Sequence, residues 1–417
     1  MSTPTVSATS GPRLTDPFTA TGPGERAAAY AELSQYGPVQ LFGMPDGSPA
    51  WLVTGYPEVR AAQTDPRLLK QRTPMSNRIA QLRPDVAPAL ISHLLSVDGA
   101  DHTRLRRLVG GAFTKHRVDA LEPRIWAIAH GLLDGCESAA RAGASIDLVA
   151  SYAVPLPMTV ICELLGVPYE WRSEFRRVSE TMLAGTYAPE DEFVVAVDDL
   201  LSLLRALIAL KRDEPADDLA TALVAAQEGG DRLSEDELTS MIWVLILAGH
   251  ETTVELIGNG VFELLTHPEQ RDRLVADPAL LPSAVEELLR VEPSLHMAIP
   301  MKAAEDLVIA GAPVRAGDTV LTSLMAANRD AATFPAPAAD PAGLDLGRTP
   351  NHHLTFGHGV HHCLGAPLAR LEGRIAFGAL LGRFPRLRAA VPLDALRWHS
   401  SFLFHGLTRL PVVLEPA

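Results

Sequence analysis

The chain has 417 residues, 47% of them hydrophobic, and a formal net charge of −14. This length and apolar content suffice for a large core, and the acidic balance argues against nucleic acid, whose phosphates need a basic surface. Three cysteines rule out a disulfide framework and fit a reducing, cytoplasmic setting.

No repeat of solenoid or propeller period is present. Met1 to Pro17 is Ser/Thr/Pro-rich without an apolar run. Residues 1–17 are therefore predicted as a disordered tail, neither signal peptide nor anchor, ahead of one domain over residues 18–417. A strand pair is predicted at Val39–Phe42 and Ala50–Val53, turning through Pro45-Asp46-Gly47. Lys70 to Leu95, with Pro74, Pro84 and Pro88, reads as a long irregular loop, a type that is usually functional or mobile. Asp98 to Lys115 reads as a helix carrying Arg104, Arg106 and Arg107.

Ser234-Glu235-Asp236-Glu237 is a capping box that opens a helix running to His267, before Pro268. At 1.5 Å per residue that helix is about 50 Å long and crosses the domain. Its middle must be buried, with Leu238, Met241, Ile242, Leu245 and Ile246 as apolar turns. Its apolar stretch, Met241 to Gly249, falls short of a bilayer span, so no membrane segment is expected. Pro278 to Glu292 gives another helix. Leu307 to Leu324 is strand-like with a turn at Ala316-Gly317-Asp318, and Pro335 to Pro350 is coil. A helix follows Cys363, and a hairpin is expected within Leu403 to Leu414. Without a linker-like break, the chain reads as a single domain, mainly α with a minor β part.

Cys363 lies in Phe356-Gly357-His358-Gly359-Val360-His361-His362-Cys363-Leu364-Gly365, directly before a helix start. Backbone N–H groups and the dipole there favour a thiolate, and glycines let the loop approach a flat group closely. A lone thiolate suits an axial position on haem iron. Two other readings are a surface loop with a buried thiol, and a zinc site built from His352, His353, His358, His361 and Cys363. Cys136 and Cys162 lie in apolar helical segments and read as core.

The fixed positions Phe-Gly-x-Gly-x-His-x-Cys-x-Gly are all matched, so the chain resembles the cytochrome P-450 family of haem-thiolate monooxygenases over residues 14 to 415. The resemblance implies haem b as cofactor and Cys363 as its iron ligand, with Phe356 and His361 in the same loop. His102 and Arg106 match the family's propionate-binding helix. Ala248-Gly249-His250-Glu251-Thr252 looks like the oxygen-activation motif. By that resemblance Ala248 and Gly249 face haem, Thr252 assists oxygen activation, and Glu251 relays protons. Read without it, the same glycine and threonine mark a kink or a close helix contact.

Glu287-Leu288-Leu289-Arg290 resembles the buried Glu-x-x-Arg pair, a structural role. Its usual third basic partner is replaced by Gly343-Leu344, after an insertion within Ala336 to Pro341, leaving Arg348 or Arg329 as substitutes. A propionate arginine is also expected where Met301 stands, with Lys302 or another side chain to compensate. The distal pocket is implied at Lys70–Leu95, Met182–Tyr187, Val244, Ala248, Leu295, His296, Met297, Phe402 and Leu403. His296 is either a donor to substrate or a loop residue.

The expected reaction is insertion of one oxygen atom from O2 into a small apolar or amphipathic metabolite, of the kind met in secondary metabolism. The alternatives are oxidative cyclisation or coupling with the same oxidant, and a haem sensor without turnover, against which Glu251 and Thr252 argue. No flavin, iron–sulfur or nucleotide-binding segment is seen, so electrons are expected from an external ferredoxin and its NAD(P)H-dependent reductase. Arg104, Arg107, Lys115, Arg117, Arg370 and Arg374 are expected to flank the haem face as a local basic patch for that partner. A monomer is expected.

Overall fold

The computed structural model describes residues 16–44, 47–184, 188–228, 231–335 and 343–415. Helices make up most of it, and a five-stranded sheet lies to one side. The turn at Pro45-Asp46, the end of the Met182–Tyr187 segment and the insertion at 336–341 lie outside the described residues. The same holds for residues 1–15 of the expected tail. Asp16 and Pro17 already take part in the fold: Asp16 accepts from the Phe18 N–H at 2.9 Å, and Pro17 O accepts from Arg26 Nε at 2.8 Å.

The central helix runs Glu235–Thr266 behind N-cap Ser234, and both halves of the capping box form. It is long and apolar enough to cross a membrane by length and composition, but two-thirds of its apolar window is buried inside the fold. The helices Pro88–Ile91, Pro155–Leu164 and Ala366–Arg383 pack on it, which accounts for its lack of a polar face. Gly249 permits one of these contacts. A Cβ there would stand 3.0 Å from Ile161 Cδ1 of the Pro155–Leu164 helix.

The sheet runs in the order Val39–Gly43, Pro49–Val53, Thr319–Thr322, Met301–Ala303, Leu68–Lys70. Only the second and third of these pair in parallel. The irregular loop expected over 70–95 contains two short helices instead, Pro74–Leu82 and Pro88–Ile91. Both prolines occupy the first helical turn, where the missing N–H costs nothing. The C-terminal hairpin does not form as expected. Pro411–Val413 pairs with Arg388–Ala389 and Ile146–Asp147, strands distant in sequence.

The Glu287–Arg290 pair is buried, 0% and 4% exposed, with bonds of 2.8 and 2.7 Å. Arg348 is the third basic partner, reaching both Glu287 oxygens at 3.1 and 3.0 Å. Arg329 turns elsewhere, to Val291 O at 2.6 Å and Glu292 at 2.7 Å.

Candidate functional site

One cavity collects side chains from across the chain. Cys363, Phe356, His361, His102, Arg106, Ala248, Gly249, Thr252, Val244 and Leu295 all line it. The Cys loop folds back on itself through Cys363 N–H to Phe356 O at 2.8 Å. Gly357 and Gly359 adopt φ of 71° and 77°, a region open to glycine. At Gly359 a Cβ would also stand 3.1 Å from Gln63 O. Arg370, one helical turn into Ala366–Arg383, covers the Phe356 ring at 4.5 Å.

Cys363 is open to the cavity but enclosed by protein elsewhere, and burial pushes its thiol up. The Gly365 and Ala366 N–H groups, Arg106 and Arg370 act in the opposite direction. These groups favour the anion, as the helix start predicts, without outweighing burial. A metal ion at the sulfur would supply the remaining positive charge.

His361 Nε2 bonds Asp98 Oδ1 at 2.8 Å, and its ring lies 4.1 Å from that of His102, centroid to centroid. Burial, then His361 and Arg106, bring the His102 imidazole down to about 4. Two other loop histidines have protein partners: His353 bonds Glu286 at 3.2 Å, and His358, which also lines the cavity, bonds Arg60 at 3.1 Å. Among the described residues no group of three His, Cys, Asp or Glu side chains converges as metal ligands. The zinc reading therefore has no ligand set.

Thr252 Oγ1 donates to Ala248 O at 2.7 Å, so the hydroxyl oxygen presents its acceptor lone pairs. Ser294, a lining residue not anticipated, donates to Thr252 O at 2.6 Å. Glu251, next in the chain to Thr252, does not line the cavity. Burial, with Glu180 nearby, pushes its carboxyl up to about 7. Glu255, one turn on and fully buried, is raised further by burial and by Glu251.

Four expected pocket residues lie elsewhere. His296 is fully buried, with Nδ1 bonded to the Tyr30 hydroxyl at 2.7 Å and Nε2 to Ser401 O at 3.1 Å. Met297 sits in a separate core with Phe18, Tyr30 and Leu52, and Phe402 and Leu403 pack against that core. Phe18 and Phe402 stack at 5.2 Å. Phe18 and Tyr30 of the N-terminal segment pack against these side chains. Met182 is likewise core, and of the 70–95 segment only Lys70, Leu94 and Leu95 line the cavity.

Gln63 and Glu372 were not anticipated. Both amide atoms of Gln63 and Glu372 Oε2 are buried without partners, and both residues line the cavity. An acid inside the apolar helix after Cys363 was the one available signal for Glu372. The expected basic patch is largely neutralised. Arg104 pairs with Glu237, Lys115 with Asp119, Arg117 with Asp217, and Arg370 with Glu286.

An apolar slot with a thiol, a cluster of basic side chains at its edge and orphaned polar atoms fits a flat, mostly apolar group bearing carboxylates and a metal. Haem has that chemistry.

The Cytochrome P-450 family model matches residues 191–390. The vitamin D(3) 25-hydroxylase of Pseudonocardia autotrophica is 45% identical over 391 residues, 93% of each chain. The mycinamicin IV hydroxylase/epoxidase of Micromonospora griseorubida is 44% identical over 388 residues, 93% of this chain and 95% of the other. Among solved structures, a P-450 monooxygenase with bound tirandamycin C superposes with a TM-score of 0.81 at 42% identity, covering 93% of this chain and 97% of that one. A myxobacterial P-450 in complex with myristic acid gives 0.86 at 38% identity, covering 97% and 100%. The residues around Cys363 and the relatives across nearly the whole chain agree: this protein belongs to the cytochrome P-450 family and is a monooxygenase, an oxidoreductase that uses haem, O2 and a redox partner.

Proposed function

We propose that the protein inserts one oxygen atom from O2 into a small apolar or amphipathic molecule of secondary metabolism, using haem b ligated by Cys363. The observation that carries this is the convergence of Cys363 and Thr252 on one mainly apolar cavity. Relatives named for hydroxylating or epoxidising mycinamicin IV and for hydroxylating vitamin D(3) support the substrate class.

Bound haem supplies the activation of O2. Cys363 Sγ holds its iron, and Arg106, His102 and His361 hold its carboxylates. Val244, Leu245, Ala248 and Leu295 shape an apolar wall that orients substrate and excludes water. Thr252 Oγ1, its proton committed to Ala248 O, accepts a proton-bearing partner from the cavity side. Glu251, held near neutrality, takes up and releases protons at working pH and passes them toward that hydroxyl. Electrons come from an external ferredoxin and reductase.

The test is a metabolite screen for shifts of the haem spectrum, followed by turnover with a ferredoxin system. A product one oxygen heavier than its substrate is expected. A product lighter by two hydrogens would assign the protein to oxidative coupling. Binding without NAD(P)H consumption would make it a sensor.

A further inference from the structure

Ser294 lines the cavity and touches the central helix at Thr252 itself. It follows Pro293 in the turn after the helix Leu281–Val291, and it is 4% exposed. Its hydroxyl donates to Thr252 O at 2.6 Å, toward the short end of the range for O–H···O bonds.

A carbonyl inside a continuous helix already serves the ladder, accepting from the residue four places on. The Ser294 hydroxyl therefore adds a second, lateral bond to the Thr252 carbonyl. A side-chain group inserted there tilts the peptide away from the helix axis. On its other side, Thr252 Oγ1 donates to Ala248 O at 2.7 Å, one turn back. Thr252 is thus gripped at both ends, its hydroxyl by its own helix and its carbonyl by a loop.

That loop takes its position from elsewhere in the fold. Pro293 fixes φ just ahead of Ser294. Ser294 O accepts the His405 N–H at 2.8 Å, and Leu295 forms an antiparallel bridge with Phe404. The His405 ring is held between Glu292 and Arg26, and all three residues are buried. His405 O in turn accepts from Asn259 Nδ2 at 2.6 Å. Asn259 lies two turns beyond Thr252 on the same face of the central helix. The helix is therefore pinned to one braced pair of loops at two points, and the nearer point is Thr252.

We propose that Ser294 is a positioning residue for Thr252. By holding the main-chain carbonyl, it keeps the Thr252 hydroxyl in one orientation toward the cavity. Without the bond the Thr252 peptide returns toward the helix axis, and its side chain gains a second orientation. This rests on the reading of haem and Thr252 given above.

The test is the infrared C–O stretch of the ferrous–CO complex, which reports the polar groups beside the bound gas and needs no substrate. Wild type is expected to give one narrow band. Ser294→Ala should add a second band, about fivefold more populated than in wild type, the scale of one lost neutral hydrogen bond. Ser294→Thr, which keeps a hydroxyl, should return to one band. Thr252→Ala should shift the band, and adding Ser294→Ala to it should change nothing further, because a positioning residue has no effect once the group it positions is gone. Should Ser294→Ala fail to hold haem, Ser294→Cys takes its place, with a similar shape and a weak donor. An unchanged band in the Ser294→Ala protein overturns the proposal. So does a second band that persists in the Thr252→Ala background, since Ser294 would then act by itself. A Ser294→Thr spectrum that matches Ser294→Ala overturns it too, as the mark of a packing defect. Failure of the underlying reading is distinguishable. Thr252→Ala alone would then leave the band at its wild-type position, or the wild-type ferrous–CO spectrum would lack the thiolate band.

Discussion

Thr252 and Glu251 are adjacent in the chain and face different surroundings, which divides their work. Thr252 opens on the cavity, and its proton is engaged with Ala248 O. Glu251 is turned into protein beside Glu255. Thr252→Ala keeps the pocket and the ligand to iron but removes the hydroxyl that accepts in the cavity. Electron uptake should continue while product per NAD(P)H falls and hydrogen peroxide rises, on the scale of ~10²-fold or more for a lost proton-relay group. The ratio of product to NAD(P)H, with peroxide assayed in parallel, is the measurement. An unchanged ratio would reduce the motif at 248–252 to a packing contact, which Gly249 against Ile161 already shows it to be in part.

Among the elements, the helix Leu281–Val291 is tied to the Cys loop region by two adjacent acids. Glu287 accepts from Arg290, Arg348, Asn351 at 3.0 Å and the Asp345 N–H at 3.1 Å. Removing Arg290 or Glu287 should cost about 3–5 kcal/mol, because a buried charge is left unpaired. Arg348→Ala and Glu287→Gln should be non-additive by about 0.5–3 kcal/mol, while Arg329→Ala and Glu287→Gln should add. Melting of the loaded variants decides this, and equal coupling for both arginines would contradict the assignment. Glu286 bonds His353 and Arg370. Burial opposes its charge, but these two partners hold its carboxyl down to about 2, below the usual 4.5. A depressed folded value stabilises above pH 4.5 and is lost as pH falls toward 2. Wild-type melting temperature should therefore fall more steeply than that of Glu286→Gln over this interval. Parallel curves would show that the pair contributes nothing.

Over the whole molecule, what could be read from the sequence was what short spacing determines. The capping box at Ser234, the Cys loop and the Glu-x-x-Arg pair each depend on residues within a turn or two. Long-range pairing was not readable. The chain partner of Pro49–Val53 on one side is Thr319–Thr322, and nothing near residue 50 specifies it. His296, Met297, Phe402 and Leu403 are implied as pocket residues by the family resemblance, which carries no information on how the N-terminal segment packs. They pack instead with Phe18 and Tyr30, 266 residues away or more, a choice made by the packing of the N-terminal segment. The sequence puts Lys70 in an irregular loop expected to contribute to the pocket, and the strand register with Met301 is what gives its side chain a face. The central claim is that these distant segments assemble a haem site with Cys363 as the ligand to iron. The most direct test is the ferrous–CO spectrum of the purified, haem-loaded protein beside that of Cys363→Ser. The account predicts the red-shifted Soret band of a thiolate complex in the wild type and its absence in the variant. A variant that keeps the band, or a wild type that never shows it, would contradict the account.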